Sequence, residues 1–303
     1  MIRTVTVTNY LGASLVLNLY HPEYNGFIVK EITGLGASNA TINTTEVVAY
    51  DGGIYNSSRL QTRNIVLSLA FMQTSTQTIE EVRHLSYKYF PIKRKVTLTF
   101  ETDTRTASIS GYVEANDPNI FSEEEGSDIS IICPDPYFYS TSNSITVFSG
   151  IEAAFEFPFC NDSLTEDLLV MGEIQNVTEA NIYYDGDAEI GVTITIHAIG
   201  SVSNITIYNS GTRETMAIDT DKIEDITGSG IVSGDEIIIC TVNGSKSITL
   251  IRDGVSTNIL NCLDKDTDWF KLAAGDNIFA YTADEGVYNM LFTVENQIAY
   301  EGI

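Results

Sequence analysis

Along most of this 303-residue chain, Val, Ile, Thr, Tyr and Phe alternate with polar residues at a period of two. Turn signals cut the alternation at Asp51-Gly52-Gly53, Asp185-Gly186, Ser210-Gly211, Asn243-Gly244 and Asp253-Gly254. A chain written this way can bury itself only as sheets, so the fold expected is mainly β. In the first half the strands expected are Thr4–Asn9, Leu15–Leu19, Phe27–Ile32, Asn64–Phe71, Lys95–Glu101, Thr106–Glu114 and Ile129–Cys133. Their spacing suits a β-sandwich or an irregular barrel.

One helix interrupts them. Thr78 can cap it and Glu81 can answer three residues later, while Ile79, Val82, Leu85 and Tyr89 recur at helical spacing until Pro91. The apolar stripe is expected to pack across a sheet. Arg83, Lys88, Lys93, Arg94 and Lys95 form the one basic concentration, read as a solvated face or as a contact for an acidic neighbouring subunit.

From Ile145 onward short strands follow one another: Ile145–Phe148, Ala153–Phe157, Ala180–Tyr184, Gly191–Ala198, Ser203–Asn209, Thr215–Ile218, Glu236–Thr241, Ser247–Arg252, Asn277–Tyr281 and Val287–Val294. With no helix expected among them, they predict a jelly-roll-like β-sandwich of two sheets.

Between the halves stands Cys133-Pro134-Asp135-Pro136, followed by Tyr137-Phe138-Tyr139. Neither proline can donate to a sheet, and each pushes its predecessor toward extended geometry. Cys133, Pro134, Asp135, Pro136 and Tyr137 therefore mark a stiff domain junction, dividing residues 1–140 from 141–303. Three aromatics after the connector offer rigid contact area for setting the angle between the halves.

The charge of −25 is uneven: residues 1–140 hold 10 Lys and Arg against 15 Asp and Glu, and the remainder 6 against 26. Such acidity disfavours specific nucleic-acid binding, which draws on Lys and Arg to neutralise phosphates. Cys133, Cys160, Cys240 and Cys262 are far apart, with no metal-ligand spacing, and are read as buried free thiols. No apolar run is long enough for a membrane span and no leader is recognisable, so a cytoplasm, or a particle assembled there, is the expected setting.

Catalytic chemistry has no foothold in the sequence. His21, His84 and His197 lie in unrelated contexts without a nucleophile elbow, and no phosphate-cradling loop occurs. No catalytic residue, cofactor site or metal site is expected. Asp264, Asp266 and Asp268 alternate as in a calcium loop, but Trp269 and Gly275 stand where glycine and a bidentate glutamate belong. Asp185, Asp187 and Glu189 form a second such run without a full ligand set. Trp269, the single tryptophan, is read as a buried anchor or as a stacking surface for a glycan.

The ordered features of residues 1–140 resemble those of the distal tail proteins of long-tailed bacteriophages, the siphophage tail-component family. They are Asp51-Gly52-Gly53 with Arg59, the Asn64–Phe71 strand, the Glu80–Pro91 helix, Gly111-Tyr112-Val113-Glu114, Ile120-Phe121-Ser122 and the Cys133–Phe138 junction. Gly234-Asp235, Asn261–Trp269 and Leu272–Asn277 resemble turns of the family's second domain. The resemblance implies a structural, non-enzymatic virion tail protein. It implies a homo-hexameric ring of N-terminal domains, with galectin-like C-terminal sandwiches set around it. The partners implied are the tail tube protein, a tail-associated lysin or tip protein, and receptor-binding proteins. Two other readings stand beside it: a carbohydrate-binding module acting through Trp269 on host cell-wall glycan, and a hydrolase of wall polymer.

Overall fold

The computed structural model describes residues 1–46, 51–153 and 172–303. Cys160 and residues 154–157 of the strand expected at Ala153–Phe157 lie outside the described residues. The chain divides into two compact units, residues 1–141 with 299–303 and residues 142–298.

The first unit holds β1 (Ile2–Asn9), β2 (Ser14–Asn18), β3 (Phe27–Thr33), β4 (Ala40–Glu46), β5 (Gly53–Leu60), β6 (Arg63–Phe71), α1 (Ile79–Tyr89), β7 (Lys95–Thr102), β8 (Thr106–Asn119), β9 (Gly126–Cys133) and β10 (Phe138–Ser140). Seven of these strands form one antiparallel sheet in the order β2-β1-β7-β8-β9-β6-β3, and β10 adds to β8 and to the strand Ala299–Tyr300. Alternate residues face one core: Val5 and Val7, Leu15 and Leu17, Ile65 and Leu67, Leu98 and Phe100, Ile129 and Ile131. For strands so far apart in sheet order to share one cluster, the sheet must curl. It does not close into a barrel, because its end strands β2 and β3 do not pair with each other.

The helix forms as its residues dictate. Glu81 N–H donates to Thr78 Oγ1 at 3.3 Å and Thr78 N–H donates to Glu81 Oε2 at 2.8 Å, a reciprocal cap. Val82 is buried in the core, with Ile79, Leu85 and Tyr89 packed partly against it.

The first unit is tied together by a buried cation. Arg63 opens β6 at 4 % exposure and donates from Nε to the Pro136 carbonyl (2.7 Å) and from its terminal nitrogens to those of Gly34 (2.6 Å), Gly36 and Glu301 (2.7 Å). Its guanidinium also lies 4.5 Å from the centre of the buried Phe138 ring. Burial pulls the Arg63 pKa below its usual value, with Cys133 and Glu301 acting the other way. Backbone carbonyls thus take the place of a carboxylate and join three segments remote in sequence. Gly34 permits the loop: at φ +83° it approaches β6 so closely that a Cβ would lie 2.1 Å from the Asn64 carbonyl oxygen.

The second unit holds β11 (Ser144–Val147), β12 (Ser149–Ala153), β13 (Gly172–Asn176), β14 (Glu179–Tyr184), β15 (Ile190–Gly191), β16 (Thr193–Ala198), β17 (Ser203–Asn209), β18 (Thr215–Ile218), α2 (Thr220–Thr227), β19 (Glu236–Cys240), β20 (Ser247–Arg252), β21 (Val255–Asn258), β22 (Lys271–Leu272), β23 (Gly275–Glu285) and β24 (Met290–Asn296), while Ala299–Tyr300 is β25. A six-stranded sheet, β11-β24-β16-β19-β20-β21, and a four-stranded sheet, β14-β23-β17-β18, form a sandwich. Tyr281 of β23 and Phe292 of β24 stack at 4.7 Å between centroids, and Phe148 lies 5.2 Å from Phe292 and 6.1 Å from Tyr281. The fold is mainly β in both units.

Two local expectations are corrected. The second half does contain a helix, α2, whose eight residues are too few to show a period. Asp219 caps it through Asp221 N–H and Lys222 N–H, Ile223 is its buried apolar anchor, and Gly228 ends it at φ 79°. The strand expected at Val287–Val294 starts only at Met290, since Gly286 at φ 73° opens a 3-10 turn over Val287–Asn289. Cys133 and Cys262 are buried free thiols; Cys240 is a free thiol too, but half-buried on the outer side of β19.

Polar anchors hold the turns of the sandwich. Asp235, 1 % exposed, accepts from Arg252 Nε at 2.8 Å and from Val232 N–H at 3.0 Å. Burial pushes this carboxyl up, but Arg252 and the Val232 N–H outweigh it and leave the pKa below the usual range. Buried Asn277 explains the Leu272–Asn277 signature: its amide donates to the carbonyls of Ala273 (2.8 Å), Gly275 (3.0 Å) and Ile182 (3.3 Å) while its oxygen accepts from Ala273 N–H (3.0 Å).

Arg63→Ala is expected to destabilise the first unit by about 3 kcal/mol, because it leaves buried carbonyls unpaired. In urea the far-ultraviolet circular dichroism midpoint falls, while fluorescence of Trp269, in the second unit, keeps its midpoint. Asp235→Asn is expected to do the reverse, destabilising the second unit by about 2 kcal/mol through the stranded Arg252 and so lowering the Trp269 midpoint. Because the Asp235 pKa is depressed on folding, its stabilisation is complete above the ordinary carboxylate range and is lost as pH falls through and below it. Acid unfolding followed at Trp269 measures this, and Asp235→Asn should flatten it.

Candidate assembly interface

The junction residues sit at the end of the first unit's sheet. Cys133 closes β9 inside the core, where burial pushes its thiol up to about 11 despite the nearby Arg63. Pro134 and Asp135 are exposed, and Pro136 and Tyr137 half-buried. Asp135 fixes the bend by accepting from Tyr137 N–H at 3.2 Å and from Tyr139 Oη at 2.7 Å. Phe138 plugs the core edge-on to Phe100 at 5.8 Å, and β10 joins the first unit's sheet. The aromatics thus anchor the connector within that unit.

Trp269 is half-buried, with Lys246 Nζ 5.2 Å from its ring centre. The segment before it is bound down on β18: Asp264 N–H donates to Ala217 O (3.0 Å), and Asp268 exchanges backbone and side-chain bonds with Thr215 (2.8 and 3.2 Å). The Asp268 carboxylate holds the segment to β18, and Asp264 Oδ1 accepts from Lys265 N–H at 2.5 Å. Of the second acidic run, Glu189 pairs with Lys271 at 3.5 Å. Among the described residues, no group of three or more His, Cys, Asp and Glu side chains is placed to hold a metal ion. His21, His84 and His197 are exposed on separate elements; His21 pairs with Glu23 and His84 approaches Glu80.

The feature that most invites a partner is one the sequence reading passed over. Among the described residues β4 and β5 pair only with each other, a two-stranded arm outside the other sheets. Neither strand has a buried residue. Ile42, Ile54 and Tyr55 are 64 %, 57 % and 61 % exposed, and the strand register puts Ile42 and Tyr55 on one face. The arm is held by cross-strand bonds, Asn43 Nδ2 to Ser57 Oγ at 3.0 Å and Asn56 Nδ2 to Thr45 Oγ1 at 2.6 Å, and by the ladder between them. A lone hairpin is marginal in water. Its exposed apolar side chains gain most when another surface covers them.

Residues 20–144, which include this arm, match the sequence model of the phage tail protein RIFT-related domain. The resemblance to siphophage tail components holds. Both units together are similar in fold to the SPP1 Dit (gp 19.1) protein, a paradigm of the hub adsorption apparatus in phages infecting Gram-positive bacteria, with TM-score 0.65, 12% identity and coverage of 97% of this chain and 98% of that one. Chains of the phage p2 baseplate in its activated conformation, with Sr and with Ca, align over 98% of each chain at TM-scores of 0.48 and 0.49 and identities of 11% and 12%. No curated protein matches the chain.

Replacing residues 40–60 by a two-residue turn should leave the first unit's thermal midpoint within about 3 °C of the native value, since no core residue is lost. Differential scanning calorimetry checks this.

Proposed function

We propose that this chain is a structural hub of a phage tail tip, present in the virion tail, whose copies close into a ring of six between the tail tube and the host-recognition apparatus. The carrying observation is the arm of β4 and β5. It has exposed apolar side chains on a domain that matches a phage tail family over residues 20–144. A closed ring needs a heterologous contact, one surface of a copy against a different surface of the next. An arm that leaves its own sheet is suited to that role.

In this reading the first unit, residues 1–141 with 299–303, makes the ring, and the acidic sandwich faces the other tail components. The tail tube protein, a lysin or tip protein and receptor-binding proteins are its partners, and the role is not enzymatic. The similarity in fold to SPP1 Dit supports the same assignment.

Class averages of the purified chain should show a sixfold ring with a central hole, and mass photometry a species of six copies. Ile42→Lys with Tyr55→Lys should reduce that species to monomer while circular dichroism stays native. A native chain that is monomeric at high concentration, or rings that survive both substitutions, would refute the proposal or the arm's part in it respectively.

A further inference from the structure

Acidic residues outnumber basic ones 41 to 16 in this chain, so a cation has many carboxylates to choose from. Arg3, Lys30, Arg83, Lys222, Arg252 and Lys271 each have one within 4.0 Å. Of the ten Lys and Arg that have none among the described residues, four lie together at the far end of α1. Lys88, Lys93, Arg94 and Lys95 are all exposed, and among the described residues none of them has a carboxylate partner.

These cations are set among aromatic rings. Arg94 lies 5.1 Å from the centre of the Tyr10 ring, itself 50 % exposed. Lys95 pairs in register with Tyr112, which is 49 % exposed, and Asn9 Nδ2 donates to the Lys88 carbonyl at 3.0 Å, drawing the helix end onto the same edge. The turn that presents Lys93 is strained open: this residue has φ 65°, and its N–H donates to the Val113 carbonyl at 2.9 Å. The result is a basic, aromatic surface on a strongly acidic protein.

The opposite chemistry gathers at the other end of α1. The loop between β8 and β9 carries Phe121, fully exposed, beside Ile120 and exposed Glu123 and Glu124. Arg83 reaches this loop through Glu125 at 3.0 Å, and along β8 Tyr112 stands seven residues, roughly 23 Å, from Asn119 at the start of the loop, so the two surfaces are separate. Lys30 and Arg83 neutralise Glu124 and Glu125 only. Below the tip, Asp117 and Asp128 stand directly opposite one another in the ladder, both exposed. Like charges so placed repel unless a cation comes between or beside them.

We propose that the basic edge formed by Lys93, Arg94, Lys95 and Tyr112 receives the Phe121 loop of a second copy of this chain, its cations meeting Glu123, Asp117 and Asp128. One copy carries both halves of the contact at separate places, so the pairing is head-to-tail and can repeat around a closed ring. Opposite potentials steer such surfaces together and exclude the reverse docking, while Phe121 against Tyr10 and Tyr112 supplies apolar burial. This contact rests on the ring reading above and adds to it a second interface, separate from the arm.

The test uses the full chain in two variants, Lys93→Glu with Lys95→Glu, and Asp117→Lys with Glu123→Lys. All four side chains are exposed, and unchanged thermal midpoints certify the folds. Each variant alone is expected to self-associate at least about tenfold more weakly than native. An equimolar mixture of the two should restore the ring, because alternation opposes each reversed edge to a reversed loop. Carbodiimide cross-linking of mixed light and heavy native chains should join Lys93 or Lys95 of one copy to Glu123, Asp117 or Asp128 of another. Native-strength rings in both variants, or losses that mixing does not repair, overturn this contact and leave the ring reading standing. A native chain that never associates overturns both. Binding of heparin or DNA lost in Lys93→Glu with Lys95→Glu, at unchanged oligomeric state, assigns the edge to polyanions and overturns the contact as well.

Discussion

A guanidinium without a carboxylate holds the first unit together. Arg63 is buried, and an unpaired charge in such a place is costly, so its partners must be numerous and well aimed. Carbonyls at Gly34, Gly36, Pro136 and Glu301, with the Phe138 ring beneath, meet that need. The fork of the guanidinium matters here, since a lysine has a single ammonium and could not reach four carbonyls on three separate segments. Through this one side chain the loop before β4, the connector after β9 and the returning residues 299–303 share a common anchor.

The arm and the charge distribution follow a different logic. Curling of the sheet satisfies the core, so β4 and β5 have no role in it and are left with their side chains in solvent. The Phe121 loop and the Lys93–Lys95 edge are likewise absent from the core cluster. Folding is complete without these three features, and each becomes favourable only against another surface. The residues that stabilise one copy are thus distinct from those left for contact with another surface.

Legibility in the sequence tracked burial. Strands with one buried face, such as Ser203–Asn209, Thr215–Ile218 and Ser247–Arg252, stood out because the apolar residues that define them alternate. So did α1, where cap and stripe agree. The arm was invisible because Thr, Asn and Ser fill both its faces and no core selects between them. Helix α2 was missed for brevity, since two turns are too few to show a stripe. Arg63 has no local mark at all, because the groups that hold it come from positions 34, 36, 136 and 301. The end of β9 at Cys133 was visible through the prolines that follow it, yet that Phe138 turns back into the first unit's core depends on Phe100 and Arg63. Trp269 showed in the sequence as an aromatic beside carboxylates; that the preceding Asp264 and Asp268 are bound to β18 is a tertiary fact.

β10 and β25 pair side by side, Phe138 with Tyr300 and Tyr139 with Ala299, so the polypeptide leaves the first unit and re-enters it at neighbouring positions. Residues 142–298 are in that sense a cassette, spliced between two adjacent strands of a host that is complete around them. A slot with its ends already together accepts replacement inserts of any length whose own termini meet. A change within residues 142–298 therefore need not displace the strands of the host.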